Sequence, residues 1–423
     1  MAQGLILAAP ASGSGKTTVT LALLRLLSRE GVAVRAAKSG PDYIDPAFHA
    51  AACGAPCVNL DAWAMTPDRI AARASGAGLL VIEGAMGLFD GAPPDGKGAV
   101  ADLARILRLP VVLVVDAGRM AGSVAPLVAG FAAFDKRVRV AGVILNKVGS
   151  DRHEAMLRRA LTPLGLPVLA VLRRDPGLAL PSRHLGLVQA AERPDLDAFL
   201  DSAADALATR LDRAALLDLA AALPDARPTA PTAPPAQVIA VARDEAFAFA
   251  YPHMLADWRA AGAEIRCFSP LANDPAPEAD LIFLPGGYPE LHAARLAACD
   301  RFLGSLRRAA PQTDIHGECG GYMVLGDGLI DAAGTRHAMA GLLRLETSYQ
   351  ARRLHLGYRR LNATQGRFAG TWAGHEFHYA STIRADGTPL FTATDAEATA
   401  LPPMGLREGR VEGSFAHLIE RRD

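Results

Sequence analysis

Short continuous apolar runs recur along the first third of the chain. They fall at the LILAA stretch from Leu5, then at Val32–Ala37, Leu79–Ile82, Val111–Val115 and Val143–Leu145. Each is bounded by turn residues, and the intervals carry helical periodicity, clearest from Val19 to Arg29 with Gly31 closing that helix. Apolar strands without alternation, separated by helices, predict an α/β domain whose parallel sheet is covered on both faces. Ligands of such sheets sit at the carboxyl ends of the strands. Polar residues collect there: Thr17, Asp42 with Asp45, Glu83, Asp116 and Asn146.

The pattern stops at Arg227–Gln237, RPTAPTAPPAQ, which is Pro- and Ala-rich, aperiodic and therefore a semi-extended linker. Beyond it the alternation restarts, with strands at Val238–Val241, Ile265–Phe268 and Leu281–Leu284 and helices over Phe249–Ala261 and Glu290–Arg308. No internal repeat or heptad pattern is present. The expected division is residues 1–190 as a first domain, 191–236 as a helical segment with linker, and 237–423 as a second domain. The length of 423 residues agrees with two cores rather than one.

Composition narrows the function. With 44 basic and 44 acidic residues the formal net charge is zero, so no bulk field attracts nucleic acid or an anionic membrane. No apolar run approaches the roughly 18 residues of a membrane span. The start of the chain has no basic region ahead of its apolar strand, so a signal peptide is not expected. Cysteines at 53, 57, 267, 299 and 319 have neither zinc nor redox spacing. These features point to a reduced cytoplasm.

The first candidate site is the loop after the first strand, ending in Gly13-Ser14-Gly15-Lys16-Thr17-Thr18. Backbone N–H groups of such a loop and the positive end of the following helix bind phosphate, here of ATP. Lys16 reaches the outer phosphates and Thr17 ligates Mg²⁺ in a loop of this kind, although Pro10 stands where the pattern has its first glycine. Lysine occurs only at positions 16, 38, 97, 136 and 147 against many arginines, so a lysine at 16 is a choice of chemistry. The second candidate is TDIHGECGGY, Thr313–Tyr322, where small residues let Cys319 occupy a tight strand-to-helix elbow. The start of a helix lowers a thiol pKa. Leu284–Glu290, LPGGYPE, offers backbone N–H groups for an oxyanion hole, Gly287 with Gly320, and His417 offers a base. His316 is a competing base, three residues from Cys319.

Cys319 in GECGG, the Gly286-Gly287 strand end and a distant histidine resemble a class I glutamine amidotransferase domain, whose thiolate releases ammonia from glutamine. Members with a full triad carry a glutamate two residues after the histidine; here that position is Ile419. The resemblance therefore narrows to the branch with a Cys-His dyad, fused behind an ATP domain. KSGPDYIDPAFH (Lys38–His49), IEGAMGLFDG (Ile82–Gly91), VARDEAFAFAYP (Val241–Pro252), PGGYPE (Pro285–Glu290) and GHEFHY (Gly374–Tyr379) resemble the cobyrinic or hydrogenobyrinic acid a,c-diamide synthases of cobalamin biosynthesis. The matches cover essentially the whole chain.

The resemblance implies a dethiobiotin-synthetase-like P-loop domain ahead of the amidotransferase domain. It implies ATP-dependent activation of the a and c acetate carboxylates as acyl phosphates, followed by attack of glutamine-derived ammonia. ATP, L-glutamine and hydrogenobyrinic or cobyrinic acid are the implied partners, and a homodimer is left open. On the implied assignment Gly13, Ser14, Gly15, Lys16, Thr17, Thr18 and Asn146 hold ATP, with Asn146 at the adenine edge. Thr17, Asp45 and Glu83 hold Mg²⁺ through oxygen. Asp42, Tyr43 and Asp90 serve the ligase site, either through a second Mg²⁺, through the substrate or by steering ammonia. Asp116 is open between metal ligand and helix cap. GHEFHY does not match the H-E-x-x-H of zinc enzymes, so zinc at His375 and His378 is not expected. Arg352, Arg353 and Arg359 either pair with substrate carboxylates or face solvent. Two other readings stay in play: a cobyric acid synthase-type enzyme amidating other corrin side chains, and a partitioning-type ATPase switch with an inactive glutaminase domain.

Overall fold

The computed structural model describes residues 2–422, which divide into two compact units meeting in sequence at Thr229 and Ala230. In the first unit the apolar runs become β1 (Gln3–Ala8), β2 (Val34–Ser39), β3 (Val58–Leu60), β4 (Leu79–Glu83), β5 (Val111–Asp116), β6 (Val140–Val148) and β7 (Val168–Arg173). They pair in the order β3-β2-β4-β1-β5-β6-β7, parallel throughout. A short segment, Ala221–Ala222, pairs antiparallel to β1. Strands of the sequence VVLVV type are buried on both faces, which is why they lack alternation.

Helices α1 (Lys16–Arg29), α2 (Asp45–Cys53), α3 (Pro67–Ala74), α4 (Val100–Leu107), α5 (Val124–Phe134) and α6 (Asp151–Leu161) connect the strands. Helix α7 (Leu196–Ala208) belongs to this unit, packing along α1 with Phe199, Leu200 and Ala203 buried. Arg25 of α1 donates from Nε to Asp201 at 2.7 Å. Crossing each loop at the carboxyl end of the sheet brings Thr17, Asp45, Glu83 and Asn146 to one side.

The second unit has a mostly parallel sheet in the order 264–268, 238–242, 281–284, 314–318, 411–414, 406–408, the last strand antiparallel. Two further sheets are built between 328 and 421, antiparallel except where Gly328–Ile330 pairs with Arg344–Ser348, and one carries Gly370–His378 beside Ala416–Arg421. The helix expected over Phe249–Ala261 begins only at Pro252, because the residue before proline is pushed out of the α region and Phe249 N instead bonds Gly286 O at 2.9 Å. The single helix expected over Glu290–Arg308 is divided into Ala293–Ala297 and Asp300–Ala309. The break has a remote cause: Asn273 Oδ1 accepts from Arg301 N at 2.9 Å and Phe302 N at 3.1 Å, capping a fresh helix start. No helix among the described residues is long and apolar enough to cross a membrane.

The helix after Cys319, Gly320–Leu325, lies so close to the strand Leu281–Leu284 that a Cβ on Gly321 would stand 1.9 Å from Leu284 O. Backbone cannot yield as a flexible side chain can. Gly321→Ala is expected to destabilise the second unit by about 1–3 kcal/mol, read as a lowered unfolding transition in calorimetry, and an unchanged transition would contradict the close packing.

Candidate functional site

In the first unit the loop between β1 and α1 holds Gly13 and Gly15 at φ of 78° and 85°. A side chain at 15 is excluded twice, by that backbone and by Asn146, whose Nδ2 would lie 2.1 Å from a Cβ there. Asn146 Nδ2 donates to Ser14 O at 3.0 Å, and its Oδ1 accepts from Lys147 N at 2.9 Å. In the structure this amide braces the phosphate loop and also lines the cavity beside it. Lys16 is buried and donates from Nζ to Met86 O at 2.6 Å. Burial lowers its pKa, opposed by the charge of Glu83.

Around this loop lies a cavity of about 1020 Å³. Gly13, Gly15, Lys16, Thr17 and Thr18 line it together with Asp42, Asp45, Glu83 and Asn146; Ser14, Tyr43 and Asp90 do not. Ser14 Oγ turns inward to Ala11 O at 2.8 Å. Tyr43 is buried, and Asp90 closes its own loop by accepting from Gly87 N at 2.8 Å. Asp42 Oδ1 accepts from Ile44 N and Asp45 N at 2.8 and 2.9 Å, which starts α2.

The acidic residues are organised by a lysine to which sequence reasoning gave no role. Lys38, at the end of β2, donates from Nζ to Asp45 Oδ2 at 2.6 Å and to Glu83 Oε1 at 2.7 Å. Thr17 Oγ1 donates to the same Glu83 oxygen at 2.8 Å. The other oxygen, Oε2, lies 2.5 Å from His49 Nε2, and His49 Nδ1 faces Cys57 Sγ at 3.6 Å. Burial alone would raise Glu83, yet Lys38 and His49 pull it well below the usual carboxylate range. Asp45 goes the other way: burial, with the charge of Asp42, raises it to about 6. The only hint in sequence was lysine's rarity, the argument applied to Lys16.

Hydroxyl and carboxylate oxygens of Thr17, Asp45 and Glu83 on one cavity are of the type Mg²⁺ takes. They fit the ion, with Lys38 sharing both carboxylates. Asp116 is paired with Lys147 at 2.7 Å and accepts from Gly118 N at 2.9 Å, and Lys147 also reaches Gly13 O at 3.0 Å. Asp116 thus ties its loop to the phosphate loop.

In the second unit Cys319 sits between the strand Asp314–Glu318 and the helix Gly320–Leu325 with φ 47° and ψ −103°, a positive φ that a non-glycine residue rarely adopts. Its N–H is held by Ser414 O at 2.8 Å. A Cβ built on Gly286 would lie 2.8 Å from His417 Nε2 and 3.1 Å from Cys319 Cβ, so the imidazole and the thiol converge on this glycine. Gly287 N would be 3.0 Å from a Cβ on Gly320, which brings the two expected oxyanion donors together. Burial raises the Cys319 thiol, with the charge of Glu290 adding to it, and burial lowers His417 to about 3. His316 points elsewhere, its Nδ1 3.1 Å from Glu412 and its ring against Phe368.

Ile419 is buried and its carbonyl faces His253 Nε2 at 3.0 Å. A carboxylate nevertheless reaches His417 from another strand: Glu318 Oε2 is 3.6 Å from Nδ1. Arg359 is engaged by Glu376 at 2.7 Å, while Arg352 and Arg353 are exposed. His355, Glu376 and His378 cluster with ligand atoms within 4.8 Å. However, the two imidazoles stack with planes 2° apart and centroids 4.6 Å apart, so their lone pairs lie in separate parallel planes and no one ion sits in both.

Two family models divide the chain as the folds do. Residues 5–188 match the CobQ/CobB/MinD/ParA nucleotide binding domain and residues 238–423 the CobB/CobQ-like glutamine amidotransferase domain. The hydrogenobyrinate a,c-diamide synthase of Brucella anthropi is 55% identical over 99% of this chain and 98% of its own length. The chain belongs to the hydrogenobyrinate a,c-diamide synthase family. Synthases of that name from Rhizobium meliloti and Rhodobacter capsulatus are each 53% identical, again over 99% of this chain, covering 99% and 98% of their own lengths. Members of the family are carbon–nitrogen ligases, and this chain, with its nucleotide-binding and glutamine amidotransferase domains, is one of them.

Asp45 yields a pH test. Its raised pKa means that the carboxylate takes up a proton as pH falls through about 6, and a neutral carboxyl is a poorer cation ligand. Affinity for Mg²⁺–ATP, measured by calorimetric titration, is expected to fall as pH drops below 6, by up to about tenfold per pH unit. Asp45→Asn should lack this component, so that the two profiles differ in slope; parallel profiles would remove Asp45 from the metal site.

Proposed function

We propose that this enzyme amidates the a and c acetate carboxylates of hydrogenobyrinic acid, using ATP and glutamine, in cobalamin biosynthesis. The observation that carries the reading is the pair of built sites: a phosphate loop opening on a large cavity with buried fixed charge, and a strained cysteine elbow facing a buried histidine. The metal-free ring is favoured over cobyrinic acid by the names of the full-length relatives. Five free cysteines and the need for ATP and glutamine favour the cytoplasm.

A carboxylate does not react with ammonia at neutral pH, so it must first become an electrophile. In this reading a substrate oxygen attacks the γ-phosphorus of ATP, ADP leaves, and the product is an acyl phosphate. Lys16 and the loop N–H groups neutralise and align the phosphates. Thr17, Asp45 and Glu83 hold Mg²⁺, which when bound supplies further charge neutralisation. Lys38 keeps Glu83 ionised and in place. In the second unit Cys319 Sγ gives its proton to His417 and attacks the glutamine amide carbon. Gly287 and Gly320 N–H groups take the negative charge on oxygen. Ammonia leaves, water releases glutamate from the thioester, and ammonia displaces phosphate from the acyl phosphate.

Product mass after incubation with ATP, Mg²⁺ and glutamine, with hydrogenobyrinic and cobyrinic acid offered separately, tests the substrate. Two carboxyl-to-amide conversions on the metal-free ring are expected; none on either ring, with glutaminase activity intact, would discard the corrin. Lys16→Ala is expected to abolish amidation from glutamine and from ammonium alike. Cys319→Ala should abolish only the glutamine-driven reaction, and loss of both activities in Cys319→Ala would contradict the division of labour.

A further inference from the structure

We propose that Glu318 is a positioning residue for His417, orienting the imidazole and compensating the charge it gains when it takes the Cys319 proton. The inference rests on the reading of Cys319 and His417 as nucleophile and base. Glu318 ends the strand that delivers Cys319, yet its side chain is tied to the strand that carries His417: Oε1 accepts from Leu418 N at 3.0 Å, and Oε2 stands 3.6 Å from His417 Nδ1. Both side chains are within 1% of full burial. The separation is longer than a hydrogen bond, as catalytic contacts often are before substrate binds.

The groups facing the ring make the case. Tyr251 presents a ring at 6.3 Å, and the Phe249 backbone bonds the imidazole and favours its protonated form. His375, paired with His417 across the sheet, and His378 both oppose a positive charge there. A neutral carbonyl can fix the tautomer but carries no full charge. Glu318, when ionised, supplies one on the Nδ1 side, while Nε2 is the nitrogen turned towards Gly286, the glycine that Cys319 Cβ also approaches. A purely structural role leaves the residue unexplained. Burial pushes its pKa up to about 8, so the ionised form that can compensate His417 gains ground as pH rises towards 8; its backbone partner would bond an amide oxygen equally well, and His316 Nε2 is no nearer than 4.0 Å. An ionised carboxylate left unpaired in such a place is strongly disfavoured.

In the step itself the thiol S–H bond breaks, the proton moves to His417 Nε2, and the sulfur pair attacks the amide carbon. The Nδ1–H of the resulting imidazolium then points its charge at Glu318 Oε2. Removing the carboxylate charge raises the cost of that ion pair without touching the glutamine pocket.

Glu318→Gln keeps an acceptor for Leu418 N–H and removes the charge. In the full-length protein its glutaminase kcat is expected to fall about 10²- to 10⁴-fold, with KM for glutamine little changed and corrin amidation from ammonium chloride retained. Glu318→Asp should recover part of the loss. Wild-type kcat in Glu318→Gln overturns the proposal, as does a joint fall in kcat, glutamine affinity and ammonium-driven amidation, which marks a structural residue. Cys319→Ala separates this from failure of the underlying reading: glutaminase activity surviving that change would displace Cys319 itself.

Discussion

A buried carboxylate at the last position of a parallel strand is the constraint on which both halves of this chain are built. Glu83 closes β4 and Glu318 closes the strand before Cys319, and each is almost wholly buried. A carboxyl group in such a place is tolerated only when other groups are brought to it. Glu83 collects a hydroxyl from α1, an ammonium from β2 and an imidazole from α2, so three connections that have no other reason to meet are held at one point. Glu318 collects a backbone N–H and an imidazole from the final strand. Strand ends are where parallel sheets open to ligands, so satisfying the carboxylate and building the site are the same act.

The two solutions differ because the proposed chemistries differ. Phosphoryl transfer moves charge that is already present on the nucleotide, and fixed cations serve it; Lys16 and Lys38 are held before any ligand arrives. A thiol attack creates charge where none stood. The pocket of Cys319 accordingly holds the thiol and its histidine neutral by burial, the thiol raised and the imidazole lowered. Charge there is favourable only as a set, proton donor, base and carboxylate together.

Periodicity made the parallel strands legible because β1, β2, β4, β5 and β6 are buried on both faces and read as plain apolar runs. The antiparallel strands beyond residue 328 were not, since stretches such as Ser381–Asp386 are largely exposed and lack the apolar run that marks the central sheet. The undivided helix over Glu290–Arg308 failed for a different reason: its interruption is imposed by Asn273, a residue remote in sequence. Motif spacing pointed to Lys16, Thr17 and Cys319 because the glycines beside them announce a tight turn, whereas His417 lies within the strand Ala416–Arg421.

What sequence could not supply was partnership across strands. Lys38, His49 and Glu83 lie on β2, α2 and β4, and their meeting depends on β2 pairing with β4, which no local pattern encodes. The bond from Asn146 to the carbonyl of Ser14, 132 residues away, is likewise invisible to any local pattern. Glu318 is the sharpest instance. Looking two residues past the histidine finds Ile419 and suggests a dyad, but a side chain's target is set by which strands are neighbours. The strand of Glu318 pairs with Val411–Ser414, which runs on into the strand bearing His417, and the carboxylate that one position lacks can be provided from the other.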